Sequence, residues 1–329
     1  MKKPIIAVLG SGSWGSAVAI HLAKGNLEVR LWGRDASQIE RMQTTRCNHR
    51  YLPNIDFPQN LNVMADLNQC IDGADDILIA TPSHAFATIL QKLPKNTPHL
   101  AWLTKGIDPQ SHHFLSDLVF DYLGKETPIA IISGPSFAME VALNLPTALT
   151  IAGNNPTYNK HWQKQLHHHH IRAYSTEDVL GVQLCGAMKN VLAIACGISD
   201  GLAYGANAKA ALMTRGLAEM TQLGRVFGAQ ESTFLGLAGV GDLVLTCTDN
   251  QSRNRRFGLL LGQGLHVDDA EKSIQQVVEG KHNAAQICWL AERHHVELPI
   301  CHAVNQVLNH QWSAQVAAQN LLQRPLKIG

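Results

Sequence analysis

Lys189 and Asn190 interrupt an otherwise apolar run, GAMKNVLAIACG, and polar side chains in such surroundings call for an explanation. A lysine there either snorkels to the surface or is held in a polar site by an anion or carboxylate. Two further segments set reactive groups just past strand-like runs. Lys105-Gly106 follows LAWLT, and Gly134-Pro135-Ser136-Phe137-Ala138-Met139-Glu140 follows IAII. In an open parallel sheet, the carboxyl ends of the strands face the ligand crevice. Further on, Ser252 has the character of a cap opening a helix near Arg253 and Asn254. A helix N-terminus with cationic donors such as Arg253 and Lys105 suits a small anion. Arg255 and Arg256 read as a solvated helix face. Asp242, in the turn GVGD, is either a turn former or the acceptor that orients Lys189.

Residues 10–15 spell GSGSWG, a G-x-G-x-x-G that follows one predicted strand and opens a predicted helix at about Trp14. In that context Gly10 permits the tight turn, Gly12 the close approach of a pyrophosphate, and Gly15 the packing of helix on strand. The free amides of the helix N-terminus then receive the pyrophosphate. The residue after the second strand chooses the dinucleotide: an acid there suits NAD, a base the 2′-phosphate of NADP. The strand LEVRLW is followed by Gly33, Arg34 and Asp35. Arg34 can fork onto a phosphate and Asp35 can cap the next helix, so NADP is favoured over NAD.

The elements that must hold these groups fall into two sets. Runs at 5–10, 27–32, 76–81, 100–104, 129–132 and 147–152 read as buried parallel strands, with helical patterns between them such as 14–24 and 83–92. Longer alanine- and leucine-rich segments at 177–199, 207–227, 254–263, 281–294 and 300–310 read as helices. The expected class is α/β, a Rossmann-like doubly wound sheet followed by a mainly α-helical domain. The expected boundaries are 1–176 for dinucleotide binding and 177–329 for substrate binding and catalysis. With no low-complexity linker, the two are expected to pack closely and leave a cleft for the site.

Composition removes other classes. The 329 residues carry 27 Lys plus Arg against 26 Asp plus Glu, a net charge of +1, which argues against a nucleic-acid partner. No uninterrupted apolar run reaches the length of a membrane span. The apolar stretch from Pro4 to Ala23, flanked by Lys2 and Lys3, is broken by the glycine motif and so does not read as a signal peptide. Seven cysteines without a CxxC pair point to a reducing compartment, the cytoplasm. The run His167–His170 lacks the spacing of a metal site and reads as a partly exposed loop or helix end, so no metal is expected.

Taken in order, GSGSWG, TKGI, GPSFAMEV, GAMKNVLAIACG, GVGDLVLTC, SRNRRFG and VVEG resemble the NAD(P)-dependent glycerol-3-phosphate dehydrogenases of bacterial type, over about residues 5–320. The resemblance implies interconversion of dihydroxyacetone phosphate and sn-glycerol 3-phosphate for phospholipid synthesis, with NADPH preferred and NADH accepted. It implies that Lys189 is catalytic, and that Lys105, Gly134, Ser136, Asp242, Ser252, Arg253 and Asn254 touch the substrate. Ser13, Trp14, Arg34, Lys105, Ala138, Arg253, Val277 and Glu279 match cofactor positions, beside Gly10, Gly12 and Gly15. Lys189 would then act as the general acid, with Lys105 and Asn190 positioning the carbonyl oxygen. A homodimer is left open. Two rivals stand beside this reading: a related two-domain dehydrogenase for another hydroxy acid or sugar, and a nucleotide-binding protein without catalysis.

Overall fold

The sequence IIAVL has no polar interruption, and in a computed structural model it forms a strand, β1 (Ile5–Leu9), buried along its whole length. The structure describes residues 3–25 and 27–324; Lys2, on the flank of the apolar stretch, lies outside them. The chain divides into two compact units, one of residues 1–105 and 115–179, the other of 106–114 and 180–329. The nine-residue excursion 106–114 carries no signal that would separate it from its neighbours in sequence. It joins the helical unit through Ile107 and Phe114, both buried in that unit's core.

In the first unit, β1 is followed by α1 (Ser13–Lys24), β2 (Glu28–Trp32), α2 (Ala36–Thr45), β3 (Leu61–Met64), α3 (Leu67–Ile71), β4 (Asp76–Ile79) and α4 (Ser83–Leu90). Then come β5 (Leu100–Trp102), α5 (Leu115–Leu123), β6 (Ile129–Ser133), α6 (Ala138–Ala142), β7 (Thr147–Ala152), α7 (Pro156–Leu166) and β8 (Ile171–Thr176). They build one eight-stranded sheet in the order β3-β2-β1-β4-β5-β6-β7-β8. The order reverses after β1, so the switch point of this Rossmann-type sheet lies beside the glycine motif.

Two departures from the expected parallel sheet have physical causes. β7 runs antiparallel to β6, with Ile132 opposite Ile151, and β8 then follows β7 in parallel. The link from β6 to β7 is residues 134–146, and its one helix is the five-residue α6. A parallel return is usually carried by a longer crossover helix; with only α6 in the link, the chain turns back beside β6 as its antiparallel neighbour. The strands β3 and β8 escape a search for continuous apolar runs. They contain Asn62 and, in β8, Arg172, Tyr174 and Ser175, because edge strands face solvent on one side.

The second unit is helical: α8 (Val179–Gly201), α9 (Gly205–Val226), α10 (Glu231–Leu235), a π-helical turn at Leu237–Gly241, α11 (Asp242–Thr248), α12 (Arg253–Gly262), α13 (Val267–Ile274), α14 (Glu279–Arg293), α15 (Pro299–Leu308) and α16 (Ala314–Leu322). Its axis is α8, buried from Gly181 to Ser199. By length and composition alone α8 could cross a membrane; here other helices surround it. On one side α12 comes within backbone distance. A Cβ on Gly197 would lie 2.1 Å from the carbonyl oxygen of Arg255, and one on Gly258 2.1 Å from that of Ile194. That contact sets the place of the first turn of α12 relative to Lys189.

The seven cysteines are all buried and free. The histidine run follows the end of α7, where His168 stacks on His21 with ring centroids 3.8 Å apart. Burial lowers the His21 pKa to about 4, so this imidazole is uncharged near neutral pH. Among the described residues, no group of three His, Cys, Asp or Glu side chains could hold a metal ion.

Candidate active site

The glycine motif forms a cradle at the carboxyl end of β1. Gly10 has φ 137°, a conformation open to glycine, and its amide donates to the carbonyl of Trp32. Gly12, the N-cap of α1, has open space where a Cβ would stand, and no side chain caps this helix end. A Cβ on Gly15 would lie 2.0 Å from the Gly10 carbonyl oxygen and 2.9 Å from the Ala80 side chain, so helix and strands touch here. Uncapped amides above an open backbone surface fit the pyrophosphate of a dinucleotide. Ser13 begins α1, and Trp14 packs half-buried on the core of the sheet.

At the end of β2 the two candidate selectors separate. Asp35 caps α2, accepting from the Gln38 amide at 3.1 Å, while the Arg34 side chain is exposed. Farther along the sheet, Lys105 sits half-buried past β5 and donates to the carbonyl of Gly134 at 3.2 Å. The Ser136 hydroxyl donates to the same oxygen at 3.0 Å. Gly134 takes φ 124° to make that turn, and Ala138 opens α6. Thus Lys105, Gly134 and Ser136 form one cluster at the carboxyl ends of β5 and β6.

In the helical unit Lys189 does not snorkel. It is 7% exposed, and its Nζ donates to Oδ1 of Asp242 at 2.7 Å and to the Thr246 hydroxyl at 3.1 Å. Asp242 is itself buried at the start of α11, just after the π-helical turn. An ammonium held by a carboxylate and a hydroxyl has a fixed direction. Nearby Cys247 remains a neutral thiol: its hydrogen bond with Cys196, and then burial, push its pKa well above the thiol range.

One turn of network joins Asn190 to the other candidates. Asn254 Nδ2 donates to Asn190 Oδ1 at 2.9 Å, and Asn254 Oδ1 accepts from the Gly280 amide at 3.0 Å. Asn190 Nδ2 donates to Glu279 at 3.4 Å. Ser252 caps α12 by accepting from the Arg255 amide, which leaves Arg253 and Asn254 on the first turn. Val277, 37% exposed, lies two residues before α14.

Two residues of this neighbourhood differ from, or escape, the sequence reading. Arg255 is not on a solvated face: it is 9% exposed and pairs with Asp200 at the end of α8, while Arg256 is exposed. Asp200 and Arg255 are far apart in sequence, so no periodicity links them. Thr246, four residues after Asp242, shares its helix face, and that spacing was a usable signal.

The family models for the NAD-dependent glycerol-3-phosphate dehydrogenase N-terminus and C-terminus match residues 5–159 and 178–319. A glycerol-3-phosphate dehydrogenase [NAD(P)+] of Legionella pneumophila is 60% identical over 327 residues, 99% of each chain. One from Vibrio cholerae is 47% identical, across 99% of this chain and 96% of its own. The crystal structure of glycerol-3-phosphate dehydrogenase from Coxiella burnetii superposes with a TM-score of 0.95 at 47% identity, covering 98% of this chain and 99% of that one. Two family models covering nearly all of a chain whose buried lysine and glycine cradle sit on matching motifs leave one assignment: the chain belongs to the NAD-dependent glycerol-3-phosphate dehydrogenase family.

Proposed function

We infer that this chain reduces dihydroxyacetone phosphate to sn-glycerol 3-phosphate with NADPH or NADH, reversibly, and so supplies glycerophospholipid synthesis. The observation that carries the chemistry is the buried Lys189, oriented by Asp242 and Thr246 in a helix that is otherwise apolar. Membership of the family supports the substrate.

In this reading residues 1–176 bind the dinucleotide and 177–329 bind substrate and carry catalysis. Gly10, Gly12, Ser13, Trp14 and Gly15 receive the pyrophosphate, and Arg34 the 2′-phosphate. Ala138, Val277 and Glu279 complete the cofactor contacts. When bound, the reduced nicotinamide supplies a hydride to the carbonyl carbon. Lys189 gives a proton to the carbonyl oxygen in reduction and removes it in the reverse reaction. Asp242 and Thr246 aim its ammonium, and Asn254 holds Asn190 in place beside it. Lys105 and Arg253 supply positive charge for the phosphate, with Gly134, Ser136 and Ser252 as neighbours.

We further propose a cytoplasmic location, supported by seven free thiols, and a homodimer, to be checked by sedimentation velocity. The deciding assay is loss of NADPH absorbance on adding dihydroxyacetone phosphate, with NADH in parallel. Bound NADPH without turnover would favour a non-catalytic nucleotide-binding protein.

A further inference from the structure

The outer face of α14 borders a cavity of about 220 Å³ that belongs wholly to the helical unit. The faces of α14 divide the work. Glu279, Gly280 and Asn283 bond toward Asn190, Asn254 and the Ala187 carbonyl. Lys281, His282 and Gln286 line the cavity instead, together with His112 from the 106–114 excursion and Asn305 and Leu308 from α15.

Gln286 is the telling residue. It is 2% exposed, yet neither its Nε2 nor its Oε1 has a hydrogen-bond partner among the described residues. Buried amides are nearly always paired, and an unpaired one is costly to keep. His112 adds a third such atom: its Nδ1 is buried without a partner among the described residues, and its ring is stacked on Trp289 with centroids 4.7 Å apart. The same residue sits at φ 58°, so the turn presents the imidazole in an uncommon backbone conformation.

The chemistry of the lining selects a ligand class. No acid is among the residues around the cavity, which offers a lysine, two imidazoles and three amide side chains. Lys281 donates to Glu271 at 2.6 Å, and an ammonium has three N–H groups to place. Pro109, Ala285 and Leu308 give an apolar wall for a short carbon skeleton. The Gln286 amide calls for one acceptor and one O–H donor.

We propose that this cavity binds a compact hydroxylated anion, a small hydroxy-carboxylate or phosphate ester, with Gln286 and Lys281 as its recognition residues. The site is separate from the Lys189 face of the same unit, and the proposal does not depend on the reaction catalysed.

The test is thermal unfolding of the full chain with citrate, L-malate, glycerol 2-phosphate or inorganic phosphate, each against sodium chloride of equal ionic strength. A ligand of the native state raises Tm of a chain this long by roughly 2 °C at about ten times its Kd, and by roughly 4 °C at about a hundred times. The expected result is such a rise with at least one probe, retained in Lys189→Ala and lost in Gln286→Met and in Lys281→Met. Lys281 is partly exposed, so its variant keeps the test valid if Gln286→Met fails to fold. Carboxylate probes alone, or phosphate probes alone, would identify the anionic group. No rise above the salt control overturns the proposal. So does a rise that survives Lys281→Met, or one that disappears in Lys189→Ala, which would place the anion in the reaction site.

Discussion

The guanidinium of Arg255 donates to Oδ2 of Asp200, tying the first turn of α12 to the last turn of α8. Both side chains are mostly buried, and Lys209 is a second partner of Asp200 at 2.8 Å. Arg255 therefore holds in place the turn that presents Ser252, Arg253 and Asn254. Arg255→Met should destabilise the protein by roughly 1.5–3 kcal/mol, the worth of a hydrogen bond to a charged group. It should also raise KM for dihydroxyacetone phosphate with less effect on kcat. Urea denaturation and steady-state kinetics on one preparation check both; an unchanged unfolding midpoint would return Arg255 to the solvated face.

Lys189→Ala should fold and bind NADPH but lose turnover by roughly 10²–10⁴, the usual contribution of a positioned acid–base group. Turnover at saturating substrate, with cofactor titration alongside, separates this from a binding defect. Near-normal turnover would pass the proton-transfer role to Lys105 or water.

Arg34→Ala should weaken NADPH by about 10–100-fold, since a charge-assisted bond of about 1.5–3 kcal/mol is lost, and leave NADH nearly unchanged. Fluorescence titration with both cofactors measures it. Equal losses would show that the preference comes from elsewhere.

Arg253→Ala should raise KM for dihydroxyacetone phosphate by about 10–100-fold through loss of a charge-assisted phosphate contact. A smaller effect on NADPH is compatible with its cofactor position. An unaltered substrate constant rules out the phosphate contact.

Asp76, at the amino end of β4, is buried between His161 at 2.7 Å and His99 at 3.2 Å. Burial alone would raise its pKa, but the hydrogen bonds from His161 and His99 outweigh it and hold the carboxyl at about 2, against 3.8 when unperturbed. A depressed acid stabilises the fold above its unfolded pKa and loses that contribution as pH falls through the folded value. The contribution is about 2 kcal/mol at 1.36 kcal/mol per unit. His99 is raised, chiefly by its hydrogen bond to Asp76; its contribution is full below 6.5 and fades as pH rises through the folded value. The stability gap between wild type and Asp76→Asn should therefore be widest near pH 5–6. It should close toward pH 2 and narrow on the alkaline side. Denaturation midpoints across that range would expose a flat difference, which is incompatible with this account.

Local chemistry made part of this protein readable from its residues in order. GSGSWG after a strand forces a turn only glycine tolerates, so the cradle and the helix behind it follow from residues that are neighbours in the chain. The Ser252 cap reaches only three residues, and continuous apolar runs mark the central strands because both their faces are buried. What depended on distant contacts was decided by the tertiary structure. Lys189 and Asp242 are 53 residues apart, and only the packing of α11 on α8 turns a choice between snorkelling and ion pairing into a 2.7 Å contact. The reversal at β7 shows only in the strand pairing, where Ile132 stands opposite Ile151. The 106–114 excursion joins the helical unit because Ile107 and Phe114 find their apolar partners there rather than beside their neighbours in sequence. Arg255 looks like any surface arginine until glycines 197 and 258 bring two backbones together and leave its guanidinium beside Asp200. A side chain's surroundings, unlike its type, are set by segments that the chain brings together only on folding.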